Sequence, residues 1–310
     1  MRHYAIQLWL LGLILLGTWP SVALAAPLIA LPQAVTRSTL APIPVAVALA
    51  ELAQSQVIYL GETHDRAADH QAQLAIMQAL YQIRPNLAIG LEMFQRPAQT
   101  VLDRYLTGKI TETQLQEQSQ FAQRWGFAWA DYAPILRWAQ TQQVPLIALN
   151  TPTEVTRKVA RQGLNSLTLA ERRFIPPVSA IALAPAAYRQ MIQQVFESTH
   201  HGTGSDRFEQ FFAAQVLWDE TMAERISQFL RAHPTTTIVV LAGQGHIVYG
   251  YGIPSRVARR LAAQPTFSGK FSQSLVLLNP ATELVNAPLQ PPIADYFWHF
   301  GSPHSLAPPP

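Results

Sequence analysis

The sequence predicts an α/β fold: a mostly parallel central sheet with helices on both faces and a site at the C-terminal ends of the strands. Three observations predict it. Short apolar, β-branched runs alternate with longer stretches of helical period, the pattern of βαβ units joined by right-handed crossovers. Two of these runs close in the same form, Val57–Leu60 with Gly61-Glu62-Thr63-His64 and Thr236–Ala242 with Gly243-Gln244-Gly245-His246. Hydrophobic residues make up 49% of the 310 and charged residues only 13%, enough apolar surface for one large core.

The elements follow in order. Residues 1–25 read as a signal peptide: a basic start at Met1-Arg2-His3-Tyr4, an apolar run from Ile6 to Leu16, and the small-x-small pattern Ala23-Leu24-Ala25. That run is too short to span a bilayer comfortably, so no transmembrane segment is expected after cleavage. The mature chain is expected to be exported, periplasmic or at the cell envelope. Residues 26–41 read as a linker and 42–287 as a single α/β domain opening on a short helix, Val45–Ala53. Strands are predicted at Val57–Leu60, Leu87–Leu91, Val144–Leu149, Thr236–Ala242 and Ser274–Leu278. Helices are predicted at Arg66–Ile83, Ala98–Leu106, Tyr132–Gln142, Thr153–Gln162, Pro185–Glu197, Ser205–Arg231 and Pro254–Ala263, the last with proline in its first turn. Residues 288–310, Pro-rich and carrying Tyr296-Phe297-Trp298, read as a C-terminal tail or strap.

Composition excludes several classes. The sequence has no cysteine, which removes disulfides, thiolate metal sites, iron–sulfur clusters and a lipid-modified N-terminal cysteine, so a lipoprotein is not expected. Its formal charge of +3, or +2 once Arg2 is removed with the signal, is not gathered into a Lys/Arg run, so nucleic acid is not an expected partner.

The chemistry is expected where the strands end, because ligands of open α/β sheets bind beyond their carboxyl ends. Strand ends there supply Glu62, His64, Glu92 and His246, with Asn150 beside them. Two imidazoles and two carboxylates suit Zn²⁺, Mn²⁺ or Fe²⁺, or an acid/base pair for hydrolysis. Glu92, between Leu91 and Met93-Phe94, needs a partner because an unpaired buried charge is costly. Asp65 is expected to cap the following helix. Gln215 and Asp219 interrupt the apolar stripe of Ser205–Arg231, and His70 and Gln73 do the same in the first long helix. These four must be hydrogen-bonded and read either as supports of the site or as a structural network. His200-His201 reads as a solvated Gly-rich loop. Tyr249 and Tyr251, among glycines after His246, are of a type that ligates ferric haem.

These residues carry a resemblance. Gly61-Glu62-Thr63-His64-Asp65, Leu91-Glu92-Met93-Phe94, Asn150-Thr151-Pro152, Gln215 with Trp218–Ala223, Gly243–His246 and Tyr251-Gly252-Ile253-Pro254 occur in one order. Over about residues 55 to 260 the chain resembles the ChaN-like haem-binding uptake family of the TIKI/erythromycin-esterase-like superfamily. That resemblance implies haem binding linked to iron acquisition at the cell envelope. For the wider superfamily it implies metal-dependent proteases and esterases, acting here through Glu62, His64, Glu92 and His246. Two readings stand at this point. One is an exported haem-binding protein, as a monomer or as a homodimer around the planar ligand, with Tyr249, Tyr251, His246 or His64 on the iron and Arg66 on a propionate. The other is a hydrolase with a bound divalent metal (Zn, Mn or Fe) held by Glu62, His64, Glu92 and His246. The haem-binding lipoproteins are tethered through an N-terminal cysteine that this chain lacks.

Overall fold

A computed structural model describes residues 33–182, 185–199, 205–262, 264–267, 271–285 and 292–300. The predicted signal peptide, linker residues 26–32, His200-His201 and tail residues 288–291 and 301–310 lie outside the described residues. The described residues form one eight-stranded sheet: β1 Gln33–Arg37, β2 Pro42–Ile43, β3 Val57–Glu62, β4 Leu87–Gln95, β5 Leu146–Asn150, β6 Thr237–Gly243, β7 Gln273–Leu278 and β8 Tyr296–Phe300. Their spatial order is β2-β1-β8-β7-β3-β6-β4-β5. From β8 to β5 all neighbours are parallel, and β1 and β2 add an antiparallel edge.

The five strands read from sequence are five of the six parallel strands; their ends shift by a residue or two, except that β4 continues past Leu91 to Gln95. They read as continuous apolar runs because both faces are covered. Successive residues of β3 face opposite cores: Ile58 and Leu60 pack with the helices Val45–Leu52, Ala67–Ile83, Gln99–Leu106 and Trp129–Gln142. Val57 and Tyr59 pack with the helices Ser205–Ala232 and Ile253–Ala262. The helices Glu112–Ser119 and Phe121–Arg124 were not expected. The first buries only Leu115 and Ser119 and starts on a Thr111/Gln114 capping box, a local signal with too few apolar positions to show a helical period.

Two segments correct the predicted domain limits. Gln33–Arg37, in the stretch read as linker, and Tyr296–Phe300, in the stretch read as tail or strap, pair with each other over five registered positions. Phe297, Trp298 and Phe300 are fully buried, and β8 also continues the parallel sheet beside β7. Proline-rich flanks hid a strand that only its two neighbours complete.

Asp65 is exposed and does not cap the first long helix, whose N-cap is Arg66 without a side-chain bond. Asp69, in the first helical turn, instead accepts from the Thr63 amide at 2.8 Å and from Asn279 at 2.7 Å, tying the loop after β3 to the end of β7.

Candidate functional site

The sheet order makes the site. β6 lies between β3 and β4, and Glu62 pairs in register with Gly243, so the ends of three parallel strands deliver Glu62, Glu92 and the Gly243–His246 turn side by side. Glu92 lies inside β4, where the pairing with β5 shifts between Leu91 and Gln95. Such irregularities re-aim side chains near functional sites.

Two carboxylate–imidazole pairs result. Glu62 Oε1 accepts from His64 Nδ1 at 2.9 Å and from the Tyr132 hydroxyl at 2.8 Å, and Oε2 accepts from the Gln73 amide at 2.6 Å. His70 completes this shell, 3.2 Å from Gln73 and 3.0 Å from the His64 carbonyl. On the other side His246 Nδ1 lies 2.7 Å from Asp219 Oδ1 and 3.2 Å from the Gln215 amide, while Tyr188 donates to Asp219 Oδ2. Glu92 joins the two halves: Oε2 accepts from the Gly243 amide at 2.7 Å, and Oε1 lies 3.4 Å from His246 Nε2. The four polar groups that interrupt the helical stripes, His70, Gln73, Gln215 and Asp219, therefore orient the histidines and glutamates.

Burial sets the electrostatics. It pushes the Glu92 carboxyl up, but the His246 charge, the His246 contact, the His64 charge and the Gly243 amide outweigh it and hold Glu92 down at about 2. Burial equally disfavours the His246 imidazolium, yet Glu92 and Asp219 together raise it to about 10. The two shifts belong to one coupled pair. His64 is raised as well: burial opposes its charge, and the Glu62 hydrogen bond with the Glu92 and Glu62 charges overcomes it. Burial, reinforced by Glu62, keeps Tyr132 a neutral donor.

His64, Glu92 and His246 line a cavity of about 440 Å³. Its walls are Met93, Trp125, Phe127, Phe211 and Trp218, and Arg124 and Arg157 stand among its lining residues. The His64 ring packs 4.7 Å from Trp125 and 4.8 Å from Phe127. Glu62 is 2% exposed and sits behind His64 rather than on the cavity wall. The sequence reading missed the aromatic wall. Its only linear signal is Trp125-Gly126-Phe127, in a loop whose approach to the strand ends is a tertiary fact.

The other expected ligands are elsewhere. Tyr249 and Tyr251 do not line this cavity; they stack on each other at 5.3 Å, and Tyr249 takes the left-handed conformation (φ 57°) with its amide bonded to the Ile293 carbonyl. Arg66 donates to the Asn279 carbonyl and lies 4.0 Å from Asp69, so its guanidinium is engaged away from the cavity. Asn150 spans within the sheet, donating to the Glu92 carbonyl and accepting from the Thr151 amide, and caps no helix.

Metal ligation by Glu62, His64, Glu92 and His246 is not supported: among the described residues no group of three or more His, Asp or Glu side chains converges as a metal-holding set. The reason is visible in the bonds. The carboxylate oxygens of Glu62 and Glu92 and both His246 nitrogens are committed to one another and to their supports. His64 is different, since its Nδ1 faces Glu62 and its Nε2 has no hydrogen-bond partner among the described residues.

One solved structure shares this architecture. A solved structure described as cofacial heme binding to ChaN of Campylobacter jejuni superposes with a TM-score of 0.65 at 17% identity, covering 87% of this chain and 97% of that one. An erythromycin esterase in its open conformation superposes with a TM-score of 0.44 at 15% identity, covering 80% and 76%. A curated relative, RETICULATA-RELATED 5, chloroplastic, of Arabidopsis thaliana, is 25% identical over 266 residues. That alignment takes in 80% of this chain but 34% of the relative, so the chain spans about a third of that protein's length. Among the described residues no helix is long and apolar enough to cross a membrane. The model of the family described as haem-binding uptake, Tiki superfamily, ChaN matches residues 48–257, more than half of the sequence, and the chain belongs to that family.

Proposed function

We propose that this chain binds haem in the cavity at the ends of β3, β6 and β4 and serves haem or iron acquisition. One observation carries the reading: His64 presents an unpartnered Nε2, with Nδ1 held by Glu62, inside a cavity walled by Trp125, Phe127, Phe211 and Trp218. A carboxylate on the far nitrogen is the usual way to fix an imidazole for ligation to a metal centre. Aromatic walls suit the face of a planar apolar macrocycle, and guanidiniums suit its carboxylates. The donor set thus fits haem. His64 would meet the iron, while Glu62, Tyr132 and Gln73 hold its ring. Haem, when bound, supplies an iron with ligand and redox chemistry of its own; this chain's residues bind, orient and shield it.

Ferric haem titrated into the purified protein, followed by the Soret band, tests this. Saturable binding at micromolar or tighter Kd is expected, weakened at least about tenfold by His64→Ala, a difference of about 1.4 kcal/mol. Tyr249→Phe and Tyr251→Phe are the comparison: a Soret change in these with none in His64→Ala moves the ligand to the tyrosine loop. Haem binding no tighter than that of an unrelated basic protein overturns the reading. The proposal keeps the protein exported, with Ala26 as the mature N-terminus, which the intact mass of the secreted form checks.

A further inference from the structure

A second concavity adjoins the aromatic cavity. This groove, about 460 Å³, is lined along the helix Thr153–Gln162 by Glu154, Arg157, Lys158 and Arg161, and by Arg124 from the helix Phe121–Arg124. Arg124, Thr153 and Arg157 line both spaces, so groove and cavity share a border. The four cations differ in their state of compensation. Arg124 is 3.0 Å from Glu154 and donates to Gln95, and Lys158 is 2.9 Å from Glu171. Arg157 and Arg161 have neither an ion pair nor a hydrogen bond among the described residues. They are exposed, and their i,i+4 spacing puts their Cβ atoms about 5–6 Å apart on one helix face.

We infer that this groove is a carboxylate subsite continuous with the cavity: the apolar ring system of the ligand lies against Trp125, Phe127 and Trp218, and its carboxylates reach Arg157 and Arg161. The inference rests on the haem reading and deepens it. It narrows the ligand to tetrapyrroles bearing carboxylates on one edge, and it makes Arg157 and Arg161 specificity determinants. Guanidinium forks pair with carboxylates in a bidentate way, which gives direction as well as attraction. His64 is held by Glu62 and is not among the groove's lining residues.

The test compares ferric haem with haem dimethyl ester, which keeps the iron and ring but loses both negative charges. Affinities are measured for wild type, Arg157→Gln, Arg161→Gln and the double variant. The wild type is expected to bind haem at least about tenfold more tightly than the ester, with a preference that shrinks as salt is raised. The double variant is expected to lose that preference by weakening haem alone, with ester affinity and the Soret position unchanged. Lys109→Gln, an exposed cation away from the groove, is the charge control and is expected to change nothing. Equal wild-type affinity for haem and ester, or a double variant that still discriminates, overturns the subsite while leaving haem binding intact. A wild type that binds neither overturns the haem reading and the subsite with it.

Discussion

Replacing Gly243 by alanine tests how the site is assembled. The backbone there, φ −58° and ψ 143°, is one any residue adopts, so the substitution adds no conformational strain. The added Cβ would lie 2.9 Å from His64 Cε1, 3.0 Å from His64 Nε2 and 3.8 Å from Glu92 Oε2. Carbon atoms do not approach so closely, and the ring must move. It cannot move toward Glu62, 2.9 Å away, nor easily past Trp125 and Phe127. It can swing outward, since the His64 side chain is 26% exposed. Overpacking costs about 1–3 kcal/mol, and an outward path puts this case near 1 kcal/mol, a fall of about 2–4 °C in Tm at this chain size. The ligand effect should be larger than the stability effect. A displaced Nε2 loses its aim into the cavity, and haem affinity should fall at least about tenfold. Two glycines serve as references. An alanine Cβ at Gly61 would press on Leu277 at 3.0 Å, costing stability without touching His64, and one at Gly245 meets nothing within 4 Å. Thermal melts by circular dichroism and Soret titrations on all three variants give the answer. Wild-type haem affinity in Gly243→Ala would refute the idea that this glycine exists to seat His64.

Three further outcomes follow from the same bonds. Asp219→Ala leaves Tyr188 and His246 Nδ1 without their acceptor, while Glu92 still faces Nε2, and should cost about 1–3 kcal/mol in urea unfolding, with Asp219→Asn much milder. Tyr132→Phe removes a buried donor to the Glu62 carboxylate and should cost about 1.5–3 kcal/mol by the same measurement; a loss below the error of the fit would mean that Gln73 and His64 satisfy Glu62 alone. The Glu92–His246 pair sets a pH window. Glu92 is lowered from 4.5 to about 2, so its contribution is present above about pH 4.5 and is lost as pH falls toward 2. His246 is raised from 6.5 to about 10, so its contribution is full below 6.5 and is lost as pH rises through 10. Melts from pH 2 to 10 should show Glu92→Gln flattening both limbs; an unchanged acid limb would argue that Glu92 is not the group titrating there.

The amino-acid sequence alone determined five of the six parallel strands among this protein's described residues. Runs such as Ile238-Val239-Val240-Leu241 can be buried on both faces only in a covered parallel sheet, so periodicity and β-branching suffice to find them. The glycine-closed strand ends also mark Glu62, His64, Glu92 and His246, because polar groups placed just past such strands have to be paired or used. Polar breaks in apolar helical stripes likewise betray Asp219, Gln215, His70 and Gln73. Tertiary structure decided what these groups do. The insertion of β6 between β3 and β4 lets Glu92 meet His246 and Gly243, which no spacing along the chain encodes. Long-range pairing also decided that Gln33–Arg37 and Tyr296–Phe300 are strands, since a short run with proline neighbours becomes one only against its partners. The cavity wall belongs to the same class. Trp125, Phe127, Phe211 and Trp218 come from two distant segments, and their convergence is a property of packing helices on a twisted sheet rather than of any local pattern.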